Sequence, residues 1–356
     1  MKKTLKFINR ISKKRIVKRH SIQINIPTFN SYQTKKIITI LKHQQNISFD
    51  ILLIDNNSLD YKKLIKDFPD INYVVLNDNY GGGGAQRIGA ELALKYKYQY
   101  IVFSDNDAIL MDKYGLSKLK KKLDSDKNLL AALPKNIEYF VNKKNDFYTD
   151  RCPFHFFIVR TVVFNKIDLH NFYLYLFSDD ISLSYKISTI GKILICADVE
   201  YYHNAFTPKI LTNFYNYFSL RGFLIIIFKE KDIALRYKFQ CLLMFFSRLL
   251  RIAVKSIIFM DLSYLKTFFL SVIGFIFENK NLIKHIPKNK YILKEIKENK
   301  LSKNILKNAL NITINSRTKH YFELFFLAKY CYIWNNYKRK KIYFELVHSS
   351  LDQPAG

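Results

Sequence analysis

From Ser21 onward the chain alternates short apolar runs with amphipathic stretches, and this alternation limits what its 356 residues can fold into more than any other feature. Ile22 to Ile26 and Phe49 to Ile54 predict strands, while Tyr32 to His43 and Tyr61 to Phe68 predict helices. A strand at Asn72 to Leu76, a glycine loop, a helix from Ala85 to Tyr96 and a strand at Tyr100 to Phe103 continue the series. Such an order implies a mainly parallel sheet covered by helices, an α/β fold. Ligands of these sheets bind beyond the carboxyl ends of the strands. The polar clusters fall there: Pro27-Thr28-Phe29-Asn30, Asp55-Asn56-Asn57-Ser58, Asn77 to Gly84, and Ser104-Asp105-Asn106-Asp107.

Charge and cysteine usage narrow the class. Lys+Arg 58 against Asp+Glu 29 gives a net charge of +29, which calls for an anionic partner or surface. A hydrophobic content of 49% excludes a disordered basic tail. Cys152, Cys196, Cys241 and Cys331 are dispersed and form no CxxC pair, which argues against a disulfide framework or zinc ribbon and fits a reducing cytosol. Residues 1–20 form a basic segment without the apolar run of a signal peptide, so secretion is not expected. Lys229, Asp261, Lys266 and Glu278 interrupt every candidate membrane span. The catalytic part is expected over 21–205. Residues 206–356 predict a helical, basic C-terminal region, in which Arg248, Arg251 and Lys255 recur at helical spacing beside Leu242, Phe245, Phe246, Leu249 and Leu250. That composition suits either an interfacial helix or a helix packed on the catalytic domain with a solvated basic face.

Asp105-Asn106-Asp107 sets two carboxylates two residues apart directly after an apolar strand, where both can reach one divalent cation bridging a diphosphate. Alone, such a triplet is more often an Asx turn. Asp55 can accept a hydrogen bond from the imide of a uracil or thymine ring, although Asp55 to Ser58 is equally a set of turn formers. Gly81 to Gly84 would let backbone approach a phosphate or sugar. The run lacks the Lys-Ser/Thr of a P-loop and follows the third strand, which excludes both an NTPase and a dinucleotide fingerprint.

In order and spacing, Ile22 to Asn204 resembles the family-two glycosyltransferases of GT-A fold. Ile24 to Asn30 is similar to the family's first strand and nucleotide loop, Ile54 to Ser58 to its base-binding segment, Asn79 to Ala85 with Gly89 to its asparagine-glycine loop, and Ser104 to Asp107 to its DxD motif. The resemblance implies donor contacts at Pro27, Thr28, Asn30, Asp55, Asn57, Asn79, Gly82, Gly83, Arg87, Asp105 and Asn106. It implies a Mn2+ or Mg2+ site at Asp107, with Asp105 as ribose or outer contact and His203 completing the coordination. Phe177 to Lys186 followed by Gly191 resembles the segment of the catalytic base, which implies Asp180 as base and Asp179 as its support or an acceptor contact. Lys186 stands where many relatives have Arg. Tyr217 to Gly222 is similar to a segment of rhamnosyl and galactofuranosyl transferases, which implies a phosphate contact for Arg221. His155 is read as an acceptor contact or, more simply, a packed core histidine.

The expectation is an inverting, metal-dependent transfer of a sugar from a UDP- or dTDP-sugar to a glycan or lipid-linked glycan. It would act in the cytoplasm at the anionic inner face of a bacterial plasma membrane. No nucleic-acid partner is expected; an oligomer is compatible with the sequence. A sugar nucleotidyltransferase would want a basic glycine-rich loop where Pro27 to Asn30 stands. A nucleic-acid-binding protein would leave the acidic strand ends without a purpose.

Overall fold

A computed structural model describes residues 7–11, 16–29, 33–58, 61–137, 144–203, 212–258 and 262–277. These lie in one compact unit, Met1–Asn289; a second unit, Lys290–Gly356, falls outside the described residues. So do Asn30, Asn204, Cys331, the expected boundary at 205/206, and the expected helical character of the chain beyond Phe277.

The strands are β1 (Ile8–Ile11), β2 (Ile22–Thr28), β3 (Asp50–Asp55), β4 (Asn72–Leu76), β5 (Tyr100–Ser104), β6 (Ala108–Leu110), β7 (Leu129–Asn136), β8 (Phe147–Thr149), β9 (Phe156–Arg160) and β10 (Lys192–His203). They form one sheet in the order β1-β4-β3-β2-β5-β9-β7-β10-β6, with β8 also on β10. β4, β3, β2 and β5 are mutually parallel, as the alternation requires. Every residue of β2 and β3 is buried because helices cover both faces. β1, from the basic N-terminal segment, closes the edge antiparallel to β4. Beyond β5 the sheet is mixed: β9 runs antiparallel to β5 and β7, and β6 antiparallel to β10.

The helices are α1 (Gln33–Lys42), α2 (Tyr61–Asp67), α3 (Gly81–Lys95), α4 (Gly115–Ser125), α5 (Asp179–Ile190), α6 (Thr212–Phe228), α7 (Leu235–Ile258) and α8 (Ser263–Phe277). On one face, Ile37, Ile38 and Leu41 of α1 and Leu116, Leu119 and Leu123 of α4 pack on Ile22, Ile24 and Ile26. On the other, Ala90 and Ala93 of α3 and Leu183 and Ile187 of α5 pack on Ile101 and Phe103. Their spacing of three and four residues gives each helix an apolar stripe.

One expectation needs correction here. Gly81 to Gly84 are the first turn of α3, which begins four residues before the expected Ala85. The reason is steric. A Cβ on Gly83 would come within 1.8 Å of the Leu174 carbonyl oxygen, and one on Gly81, whose φ is +71°, within 2.1 Å of that of Tyr175. The glycines bring this helix start against the segment leading into α5.

Tyr185 of α5, Leu220, Phe223 and Ile226 of α6, and Tyr237, Cys241 and Phe245 of α7 form a further core cluster. Its polar pin is a buried ion pair, Lys186 Nζ to Glu230 Oε2 at 2.7 Å. Glu230 Oε1 also accepts from Ser182 Oγ and the Asn171 amide, and Lys186 donates to the Leu169 carbonyl. Lys186 is therefore spent on structure rather than turned to an acceptor. α7 departs from the sequence pattern too. Phe245 is buried and Arg248 points inward, to Asn216 Oδ1 and over the Tyr215 ring, while Leu235, Phe239, Leu243, Phe246, Leu250 and Ile257 make an exposed stripe. No described helix is long and apolar enough to cross a membrane.

Because removing one partner of a buried pair strands the other charge, Lys186→Met is expected to cost about 3–5 kcal/mol, read from the urea midpoint. Adding Glu230→Leu should restore most of the loss; a single variant as stable as the parent would show that the pair is not a pin.

Candidate active site

Strand register brings the chemistry together. β5 pairs with β9 so that Ser104 lies opposite Phe156, which sets Asp105 beside His155; the Asp105 amide donates to the His155 carbonyl at 3.1 Å. β10 pairs with β6 so that His203 lies opposite Ala108, one residue past Asp107. His203 Nε2 is accordingly 3.1 Å from Asp107 Oδ1. The His155 and His203 rings stack with centroids 3.5 Å apart. Asp105, His155 and His203 each offer a ligand atom within 4.8 Å of the others. One carboxylate and two imidazoles, with Asp107 alongside, fit a divalent cation.

His155, expected from its place after Cys152-Pro153 as an acceptor contact or a packed core histidine, lies partly exposed just before β9, beside Asp105 and His203. That neighbourhood depends on which strand the apolar run Phe156-Phe157-Ile158-Val159 pairs with, and the pairing is not written locally.

Asp179 and Asp180 form the first turn of α5. They follow two consecutive non-glycine residues in left-handed conformation, Phe177 at φ +57° and Ser178 at φ +80°. Such residues cost roughly 1–3 kcal/mol each and persist only where packing enforces them. The acids share one electrostatic environment. Burial pushes the Asp105 carboxyl up to about 7, Asp107 adds to the rise, His203 opposes it, and Asp180 adds further. Burial, then Asp180 and Asp105, hold Asp179 well above the carboxylate range. Burial also raises Asp180, against the Ile181 amide and the Arg151 guanidinium. His155 is drawn down to about 3, first by burial and then by His203. A cluster of this kind resists carrying all its negative charges without a cation.

The remaining residues divide. Asp55 ends β3 buried, its Oδ1 accepting from the Ser58 amide at 2.7 Å, while its Oδ2 has no hydrogen bond among the described residues. Burial raises its carboxyl despite the Ser58 contacts. Pro27 is buried opposite Ile54. Thr28 Oγ1 meets Thr34 Oγ1 at 2.7 Å, and Asn106 Nδ2 reaches the same hydroxyl at 3.5 Å, linking the end of β2 to the Asp105 loop. Asn57 is an exposed turn residue at φ +66°.

Others serve the scaffold. Asn79 Oδ1 caps the Gly81 amide, and the Gly83 amide donates to the Tyr175 carbonyl, leaving Gly82 the least enclosed of the run. Arg87 pairs with Glu91 and donates to the Leu169 and His170 carbonyls. Arg221 is buried, donating to the carbonyls of Gly274 at 3.1 Å and Tyr173 at 2.5 Å. Neither arginine is directed at the carboxylate cluster by these bonds.

Residues 24–178 match the profile described as glycosyl transferase family 2. No curated protein sequence matches the chain. Among solved structures, S. aureus TarS 1–349 aligns with a TM-score of 0.53 at 16% identity, over 71% of this chain and 80% of that one. The same protein in complex with UDP-GlcNAc gives 0.51 at 15% identity over 75% and 82%, and in complex with UDP 0.50 at 17% identity over 71% and 81%. The longer TarS chain is covered over 43% of its length. At these identities the likeness speaks for the fold. The chain thus carries a glycosyl transferase family 2 domain on a GT-A fold, and it is a glycosyltransferase.

Proposed function

We propose that the enzyme transfers a sugar with inversion from a UDP- or dTDP-sugar to a hydroxyl of a lipid-linked bacterial surface glycan, with galactofuranose and rhamnose the favoured donor sugars. The observation that carries the reading is the gathering of Asp105, Asp107, Asp179 and Asp180 with two imidazoles beyond the sheet's carboxyl ends. Asp55, with its unpartnered buried oxygen at the end of a neighbouring strand, suits a pyrimidine imide. TarS, of the same fold, is found with UDP and UDP-GlcNAc, which supports a uridine nucleotide.

In this mechanism Thr28, Asp55 and Asn106 hold the nucleoside. Asp105, Asp107 and His203 would hold Mn2+ or Mg2+, which when bound would supply positive charge against the departing diphosphate. Asp180 removes the proton of the acceptor hydroxyl as its oxygen attacks the anomeric carbon and the bond to the diphosphate breaks on the opposite face. Its raised affinity for a proton suits a base that must receive one. Asp179 positions Asp180 and the acceptor.

The exposed stripe of α7 supports a peripheral place on the cytoplasmic face of a plasma membrane. The sequences of α6, α7 and α8 contain no acid, and Arg236 and Arg251 flank the stripe on the exposed surface. Apolar side chains bordered by cations suit an acidic lipid interface.

Asp180→Asn is expected to lower kcat by a factor of at least about 100 while leaving nucleotide affinity within a fewfold, since it removes proton transfer and not donor binding. Loss of nucleotide binding in that variant would make Asp180 a ligand instead. A panel of labelled sugar nucleotides tests the donor: preference for a guanosine nucleotide would sink the pyrimidine assignment, and preference for glucose or N-acetylglucosamine the sugar. Co-sedimentation with phosphatidylglycerol vesicles should fall sharply in the Leu243→Ser, Phe246→Ser, Leu250→Ser triple variant; equal binding by that variant would remove α7 from the interface.

A further inference from the structure

The cation site holds one more donor than the DxD reading requires. His155 directly precedes β9, after Cys152-Pro153-Phe154, and the antiparallel pairing of β9 with β5 brings its carbonyl to the Asp105 amide. Its ring lies 3.5 Å, centroid to centroid, from that of His203, and its ligand atom falls within 4.8 Å of those of Asp105 and His203. Its Nδ1 is 3.4 Å from the Tyr201 hydroxyl, so an Nδ1–H that donates there leaves Nε2 as the free lone pair. A ligating histidine commonly engages its second nitrogen in this way, which fixes tautomer and ring orientation. The Tyr201 side chain is otherwise buried.

We propose that His155 is a direct ligand of the divalent cation, alongside Asp105 and His203, and that this two-imidazole set makes the site select a transition-metal dication such as Mn2+ over Mg2+. The proposal rests on the reading that the site holds a divalent ion and deepens it by naming the ligand and the ion class. The selectivity follows from donor chemistry. Mg2+ demands near-ideal octahedral oxygen coordination and keeps most of its waters. Imidazole nitrogen instead favours the first-row transition ions. Each imidazole added to the set therefore widens the gap between the two classes.

Mn2+ binding by electron paramagnetic resonance tests this with Mn2+ alone and with Mn2+ plus uridine diphosphate, without turnover. Wild type should bind Mn2+ against a hundredfold excess of Mg2+, and the echo-modulated spectrum should show nitrogen from two imidazoles. His155→Phe keeps a ring on His203 and deletes the donor. It should lose roughly 10–100-fold in Mn2+ affinity, the range seen when a metal site loses a supporting group, retain one coordinated imidazole and let Mg2+ compete. An unchanged affinity and two-nitrogen spectrum in His155→Phe would overturn the assignment and leave the rest of the site standing. Wild type that binds no Mn2+ under either condition would overturn the ion site itself. His155→Gln, which restores a donor of oxygen type, should recover affinity but not the preference for Mn2+.

Discussion

The closeness of the α3 start to the segment before α5 is the constraint on which the site depends. Gly83 lies so near the Leu174 carbonyl and the Asp179 side chain that no larger residue fits without displacing one of them. His170 Nε2 meets the Gly83 carbonyl at 2.8 Å, and the Gly83 amide donates to Tyr175, so the two segments are laced by hydrogen bonds that only a bare backbone can reach. α3 is itself packed on β2, β3 and β5. Whatever holds the glycine turn therefore also sets the depth at which Asp179 and Asp180 enter the cleft, relative to the Asp105 loop that ends β5.

That placement creates an electrostatic problem the fold does not solve internally. Burial raises Asp105, Asp179 and Asp180; Asp180 adds to the rise at both of the others, and Asp105 adds to that of Asp179. The Arg151 guanidinium offers Asp180 only partial relief. A protein with a net charge of +29 has cations to spare, yet the buried Lys186 of the same helix is given to Glu230. Buried acids left under-neutralised in this way are the arrangement expected of a site built to take a cation or a proton. Stability and catalysis thus pull against each other at one turn, which is also where Phe177 and Ser178 are held in left-handed conformation.

Much of this was legible because it is local. Strand β4 falls on Asn72 to Leu76 as expected, and β2, β3 and β5 lie within two residues of their expected ends. Those strands are short runs bounded by turn formers, alternating in β2 and mostly apolar in β3, β4 and β5, a pattern that needs no knowledge of partners. What could not be read depends on pairing. β6 and β8 are three residues each, too short to show a period, and β10 carries a register shift between Cys196 and Glu200 that lets one strand serve β8, β7 and β6. The neighbourhood of His155 follows from that mixed half of the sheet. Gly81 to Gly84 read as a loop in sequence because glycine is a poor helix former, and only tertiary contact offsets the entropy of four of them in a row in a helix. Arg248 looked like part of a basic outer face; in place, it is an amphipathic stem with a cation laid over Tyr215.

The same logic explains why the helical part is more than an attachment. Gly222 of α6 presses on the strained turn, where an added Cβ would come within 2.6 Å of the Ser178 side chain. One residue earlier, Arg221 ties the Tyr173 carbonyl to that of Gly274 in α8. On the far side of α5, Glu230 fastens the Asn171 amide, Ser182 and Lys186 together. The turn that presents the acids is thereby gripped from α3 by close backbone contact, from α6 by a glycine, and from the α6–α7 connection by a buried charge. Left-handed Phe177 and Ser178 would relax if any of these let go, and Asp180 would move with them. Arg221, for which the family resemblance implies a phosphate contact, and Lys186 are thus both engaged in holding the segments around this turn.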